Sequence, residues 1–276
     1  MRDFSQDHRA LAINSATVKA LNLQQLCDAC VRAGITTIAP WRDQIQAVGI
    51  STAGKIIKDA GLGVTSLVRA GLFTAASEAG RKAAIDDNRR AVDEAAGIGA
   101  ANLLLIAGGL PPGSKDIAGA RQQVHDGLAT LLPYAKSANM PLALKPLHPM
   151  TAADRGCVTT LGNAKDICDE LGDGLGVAID VYHVWWDPTL PQEIARAGKR
   201  ILGFHVCDWL VPTTDLLTDR GMMGDGIIDI KSIRGMVEAA GYDAPVDVEI
   251  FSANNWWKRD ADEVLRICIE RFRSVV

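Results

Sequence analysis

Apolar residues along this chain gather into short unbroken runs, separated by longer stretches in which apolar positions recur at helical spacing. A run of about five apolar residues bounded by turn residues reads as a strand buried on both faces of a parallel sheet. Eight such runs are found. The first four are residues 10–14 (ALAIN), 35–39 (ITTIA), 63–67 (GVTSL) and 103–107 (LLLIA). The last four are LALK, VAID, GFH and VDVE, ending at Lys145, Asp180, His205 and Glu249. Intervening segments such as AGRKAAIDDNRRAVDEAAGIGA and PQEIARAGK are rich in strong helix formers, and the first predicted helix closes at Gly34.

Eight strands alternating with helices predict an α/β chain folded as a (β/α)8 TIM barrel, one domain over residues 1–276. The last four strands stay apolar until their C-terminal end and there present a charged or imidazole side chain. That is the barrel face where chemistry is carried. Two long connections, residues 148–161 and 208–226, leave the same rim and read as lids or interfaces.

Asp180, His205 and Glu249 are oxygen and nitrogen donors of the kind that hold a divalent ion. The expected cofactor is Mn²⁺, with Mg²⁺, Zn²⁺ and Co²⁺ open. The strand-5 position should supply a fourth anionic donor, yet it is Lys145. Lys145, Asp180 and Glu249 together carry one net negative charge without an ion, so an ammonium group can stand in for the metal. Holding both would set a single and a double positive charge against each other at about 8 kcal/mol for ~4 Å and an effective dielectric near ~20. Lys145 must then turn away, lose its proton or be carbamylated.

From residues 142 to 257 above all, the chain resembles the xylose isomerase-like barrels of the sugar phosphate isomerase/epimerase superfamily. Its relatives include ketose 3-epimerases, inosose isomerases and dehydratases, and an endonuclease branch. The resemblance implies metal ligands at the ends of strands 5 to 8, of which Asp180, His205 and Glu249 match and Lys145 does not. It implies a substrate-binding role for His183 in DVYHVWWDP. Where ketose 3-epimerases carry a further Glu, this chain has Thr151.

The implied activity is a metal-dependent sugar or polyol isomerase or epimerase that abstracts a proton next to a carbonyl. Glu249 would be the base, and Lys145 and His148 further catalytic groups. A lyase or dehydratase acting on a keto-sugar or keto-glycoside, and a metal-free binding protein, are the alternatives. Arg155, Trp185 and Trp209 join His183 as candidate substrate contacts, since all six tryptophans follow strand ends and indole faces stack on sugar rings. Met222 and Met223 would suit a lid or a subunit interface.

Composition narrows the partners. A net charge of −4 without Lys/Arg runs argues against nucleic acid or anionic membranes, and a small sugar, polyol or glycoside is expected, with homo-oligomerisation open. The polar N-terminus and the lack of a long apolar run predict a cytoplasmic protein. Six scattered cysteines predict free thiols, and the Cys27/Cys30 CxxC in a helical pattern predicts packing.

Overall fold

The computed structural model describes residues 1–276. Eight parallel strands close into a barrel: β1 (Leu11–Asn14), β2 (Thr37–Ala39), β3 (Gly63–Gly71), β4 (Ala100–Ile106), β5 (Leu142–Lys145), β6 (Leu175–Asp180), β7 (Ile201–Val206) and β10 (Val246–Val248), with β10 pairing β1. A two-stranded hairpin, β8 (Asp208–Trp209) and β9 (Arg220–Gly221), stands on the rim between β7 and β10. The helices are α1 (Leu23–Arg32), α2 (Arg42–Val48), α3 (Ile50–Asp59), α4 (Glu78–Gly97), α5 (Ile117–Ser137), α6 (Leu161–Leu171), α7 (Val181–Val184), α8 (Leu190–Ala197), α9 (Ile230–Ala239) and α10 (Ala261–Val275). No helix is long and apolar enough to cross a membrane.

Local signals set the helix starts. Asn22 and Gln25 form a reciprocal capping box on α1, and Ser77, Asp116, Thr160 and Asp229 cap α4, α5, α6 and α9 through side-chain oxygens. Cys27 and Cys30 lie fully buried on the inward stripe of α1. Burial pushes their thiols up to about 11 and about 12, as packing residues rather than reactive ones.

Strand positions agree with the apolar runs to within a few residues, with one informative exception. β3 continues to Gly71, four residues beyond the run at 63–67, because the pairing with β4 shifts register between Leu67 and Ala70 and then resumes. That irregularity buries Val68 and leaves Arg69 exposed at the rim. The end of β3 is clamped by Asn88 of α4, whose Oδ1 accepts from the Gly71 N–H (2.6 Å) and whose Nδ2 donates to the Gly71 carbonyl (2.7 Å). Gly71 has φ of +99°, and a Cβ there would stand 2.0 Å from the Ile106 carbonyl oxygen.

Side chains inside the barrel sort by height. A small apolar layer of Ala39, Val68, Leu104, Ala143 and Ala178 leaves space near the axis. Two residues further along their strands, Lys145 and Asp180 share that inward face, as alternation requires. Met222 and Met223 are fully buried, with the Met222 sulfur 3.9 Å from Cys268 of α10. They are core residues of the rim loop, which corrects the expectation of a lid or interface: the hairpin carries them inward against α10.

Removing the Asn88 clamp strands a buried N–H and a buried C=O together. Asn88→Ala is expected to lower stability by about 2–4 kcal/mol in denaturant titration; a loss under ~0.5 kcal/mol would show that water replaces the side chain.

Candidate functional site

The strand ends bring four predicted residues to one point beneath the barrel mouth. The Lys145 ammonium donates to Glu249 Oε2 at 2.5 Å and to Asp180 Oδ2 at 3.2 Å. His205 Nδ1 lies 3.3 Å from the same Glu249 oxygen. Ligand atoms of Asp180, His205 and Glu249 all fall within 4.8 Å of one another, and none of the four side chains is more than 4% exposed. Register accounts for this: His205 pairs with Asp180 on one side and Asp247 on the other, and Glu249 follows two residues later on the same face.

Two further residues complete the cluster, and sequence reading had assigned neither. Arg220, on β9, inserts a buried guanidinium between the rings of Tyr182 (4.3 Å) and Phe251 (4.7 Å). Its Nη1 donates to Asp180 Oδ2 and to the Glu249 carbonyl, each at 3.4 Å. Asn14 ends β1; its Nδ2 donates to Glu249 Oε1 (3.3 Å), while its Oδ1 accepts from the Trp41 indole N–H (2.8 Å). A polar residue closing an apolar run was the available signal for Asn14. Arg220 had none, because it lies in a glycine-rich loop without periodicity.

The hairpin carrying Arg220 is built by Asp208. Its buried carboxylate accepts from the backbone N–H groups of Trp209, Gly224 and Ile228, gathering both ends of the loop. Gly226 lies where a Cβ would stand 2.1 Å from the Trp209 carbonyl oxygen. The Arg220 N–H donates to the Phe251 carbonyl, tying the hairpin to the segment after β10.

Electrostatics follow from burial and proximity. Burial opposes charge on Lys145, but Glu249 and Asp180 outweigh it and raise its pKa above the usual lysine value. Burial likewise opposes charge on Glu249, yet Lys145 and His205 hold its carboxyl well below the usual range. Asp247, beneath His205 and without a hydrogen-bond partner, is pushed up to about 6 by burial. His183 is held well below the ordinary imidazole value by burial and by Arg220 and Lys145. Its Nδ1 accepts from the His148 N–H (3.0 Å), and its Nε2 lies 3.2 Å from the Arg220 Nη2 and 3.7 Å from Asp180.

Asp180, His205 and Glu249 are a donor set of the right chemistry for a divalent ion. Two cationic side chains stand beside these donors. The Lys145 ammonium already binds two of the donors, and Arg220 adds a second fixed positive charge within 3.8 Å of Glu249 Oε2. A divalent ion requires Lys145 to vacate that position or lose its proton.

A cavity of about 200 Å³ opens above the cluster, with Lys145, His183, Arg220 and Glu249 at its floor and Arg155, Thr151 and Trp41 among its walls. The other candidates lie elsewhere. His148 caps the turn at Pro149–Thr151 and stacks on Trp209 at 4.9 Å, and Trp209 packs on Tyr182 and Trp185. This aromatic cluster lies outside the cavity lining: α7 turns the chain directly after Asp180 and carries Trp185 away from the axis. Trp41, instead, faces the cavity.

The family model for the xylose isomerase-like TIM barrel matches residues 27–270. A Sinorhizobium meliloti protein of solved crystal structure is 59% identical, covering 98% of this chain and 99% of its own, with a TM-score of 0.96. The IolI protein solved with a bound zinc atom is 20% identical (TM-score 0.83; 96% of this chain, 97% of that one). E. coli 3-keto-D-glucoside 4-epimerase is 19% identical (TM-score 0.73; 92% and 94%). A sequence comparison with the curated proteins finds no match. The closed eight-stranded barrel, its rim cluster and the span of the family match together establish that this chain belongs to the xylose isomerase-like TIM barrel family.

Proposed function

We propose that the protein is an isomerase acting on a small carbonyl-bearing sugar or polyol, moving a proton on the carbon next to the carbonyl. The observation that carries this reading is the Lys145 ammonium paired with Glu249 and Asp180 at the floor of the barrel-mouth cavity, backed by the Arg220 guanidinium. Two cations converge where negative charge develops on a carbonyl oxygen as the neighbouring C–H bond breaks. Solved relatives with isomerase-like chemistry, L-ribulose 3-epimerase and 3-keto-D-glucoside 4-epimerase, support the reaction class.

Glu249 is the base. In the resting site its basicity is suppressed by Lys145. A substrate carbonyl that takes over the Lys145 hydrogen bonds weakens that hold and raises the basicity of Glu249 as the reacting carbon arrives. The proton passes to a Glu249 oxygen, and the enediolate oxygen is held by Lys145 and Arg220. Glu249 then returns the proton to the former carbonyl carbon while the hydroxyl proton of the enediolate passes to the oxygen held by Lys145 and Arg220, so the carbonyl re-forms on the neighbouring carbon. Glu249 is the one carboxylate lining the cavity, with Thr151 and Lys145 where second acids would stand. One-base isomerisation therefore suits the site better than two-base epimerisation.

The metal-dependent form of this reaction, with Mn²⁺ or another divalent ion on Asp180, His205 and Glu249, demands displacement of Lys145. Purified protein is expected to contain well under one equivalent of divalent metal, and Lys145→Glu, which restores a fourth anionic donor, to bind it stoichiometrically. A full equivalent in the parent chain, by elemental analysis, would overturn the metal-free form.

Lys145→Met leaves two buried carboxylates short of a counter-charge and is expected to cost about 3–5 kcal/mol in denaturant titration. An unchanged midpoint would mean that the ion pair does not form in solution.

With ketoses, keto-inositols and 3-keto-glycosides as substrates, the chain is expected to incorporate solvent deuterium next to the carbonyl, read by NMR, and Glu249→Gln to slow incorporation by about 10²–10⁴-fold. An alkene or a released aglycone would mark the lyase alternative, since the same carbanion can expel a β-substituent. No exchange with any of these substrates or with their carboxylated or phosphorylated counterparts would sink the enzymatic reading.

A further inference from the structure

The cavity is lined by four cationic side chains, Arg69, Lys145, Arg155 and Arg220, against one carboxylate, Glu249. At the floor the charges are matched: Lys145 and Arg220 face Asp180 and Glu249 within 4 Å. At the rim they are not. No carboxylate lies within 4.0 Å of the Arg69 guanidinium, which rests over the Trp41 indole at 5.5 Å. Arg155 has one partner, Asp154, at 3.7 Å, whose carboxylate is itself 68% exposed to water.

Arg69 reaches the rim through the register shift in β3, and Arg155 through the turn after β5. Partial burial and the charge of Arg155 both lower the pKa of Arg69, so the two guanidinium groups repel across the opening. Asp43 and Asp215 are within electrostatic reach but outside contact, and Asp215 is taken up by the Thr218 hydroxyl and the Leu217 and Thr218 N–H groups. Two like charges at one opening, Arg69 without a carboxylate in contact and seated on an aromatic platform, Arg155 with only the water-exposed Asp154, form a receptor for an anion. Between rim and floor the walls are apolar (Val68, Leu104, Ile106, Leu147), suited to a carbon chain or one face of a sugar ring.

We infer that the substrate carries an acidic group, a carboxylate or a phosphate, on the end remote from its reacting carbonyl, held between Arg69 and Arg155. This rests on the reading of the floor as the site of proton transfer and specifies the substrate class for it. The cavity of about 200 Å³ accommodates a monosaccharide unit or an open-chain acid of similar size.

The test uses D-glucuronate, inorganic phosphate and neutral D-glucose as probes, titrated calorimetrically into the full chain at constant ionic strength, together with Arg69→Gln, Arg155→Gln and the double variant. Both residues are partly exposed, and the thermal midpoint of each variant confirms folding. Glucuronate or phosphate is expected to bind at least about tenfold more tightly than glucose, with that preference lost in the double variant; whichever anion wins names the acidic group. Equal binding of glucose and the anions, no binding of either anion, or an anion preference that survives the double variant would overturn the inference. Deuterium exchange into neutral keto-sugars as fast as into their acidic counterparts, with both left unchanged by the double variant, would also overturn it while leaving the proton-transfer reading intact. Anion binding lost in the double variant, without exchange into any keto-sugar or keto-acid, would do the reverse.

Discussion

Two carboxylates buried at the mouth of a closed barrel need positive charge beside them, and the rest of the site is arranged around how that need is met. Removing an ionised carboxylate from water costs several kcal/mol unless counter-charge and hydrogen bonds replace the solvent. Here the replacement is a lysine from β5 and an arginine from the hairpin after β7. Neither cation suffices alone. Lys145 reaches an oxygen of each carboxylate, Arg220 supports Asp180 and the backbone of Glu249, and Asn14 and His205 occupy remaining acceptor positions on Glu249.

The barrel supplies what such a cluster requires. Small residues in the layer below, Ala143 and Ala178, leave the axis open, and Gly203 does the same beneath His205, where a Cβ would stand 3.2 Å from the ring Nε2. Tyr182 and Phe251 sandwich the Arg220 guanidinium, excluding water from it while their faces favour its charge. Dry surroundings strengthen each polar contact, so a substrate oxygen entering the cavity meets cations already oriented and little solvent to reorganise.

Rim and floor differ in charge. Paired charges lie at the floor, where Lys145 and Arg220 meet Asp180 and Glu249, and the rim carries Arg69 with no carboxylate in contact and Arg155 with an exposed one. Trp41 links the levels, since its indole N–H holds Asn14, which holds Glu249, while its face carries Arg69. Tryptophans after strand ends read alike in sequence, but one faces the cavity and Trp185 and Trp209 bury one another with His148 and Tyr182.

Much was legible without coordinates, for local reasons. Short unbroken apolar runs separated by helical stretches, and the polar ends of the last four runs, pointed to the barrel and to the rim where Lys145, Asp180, His205 and Glu249 lie. Each depends on residues within a few positions of one another. Tertiary structure alone decided that Arg220 enters the cluster, that Met222 and Met223 join the core, and that Arg69 and Arg155 share an opening. Those outcomes follow from the path of long connections, set by three backbone bonds to Asp208, a close approach at Gly226 and a register shift in β3. Such long-range contacts leave no period in the sequence. For the same reason, counting charge at Lys145, Asp180 and Glu249 alone missed a second cation that lies next to them only after the chain has folded.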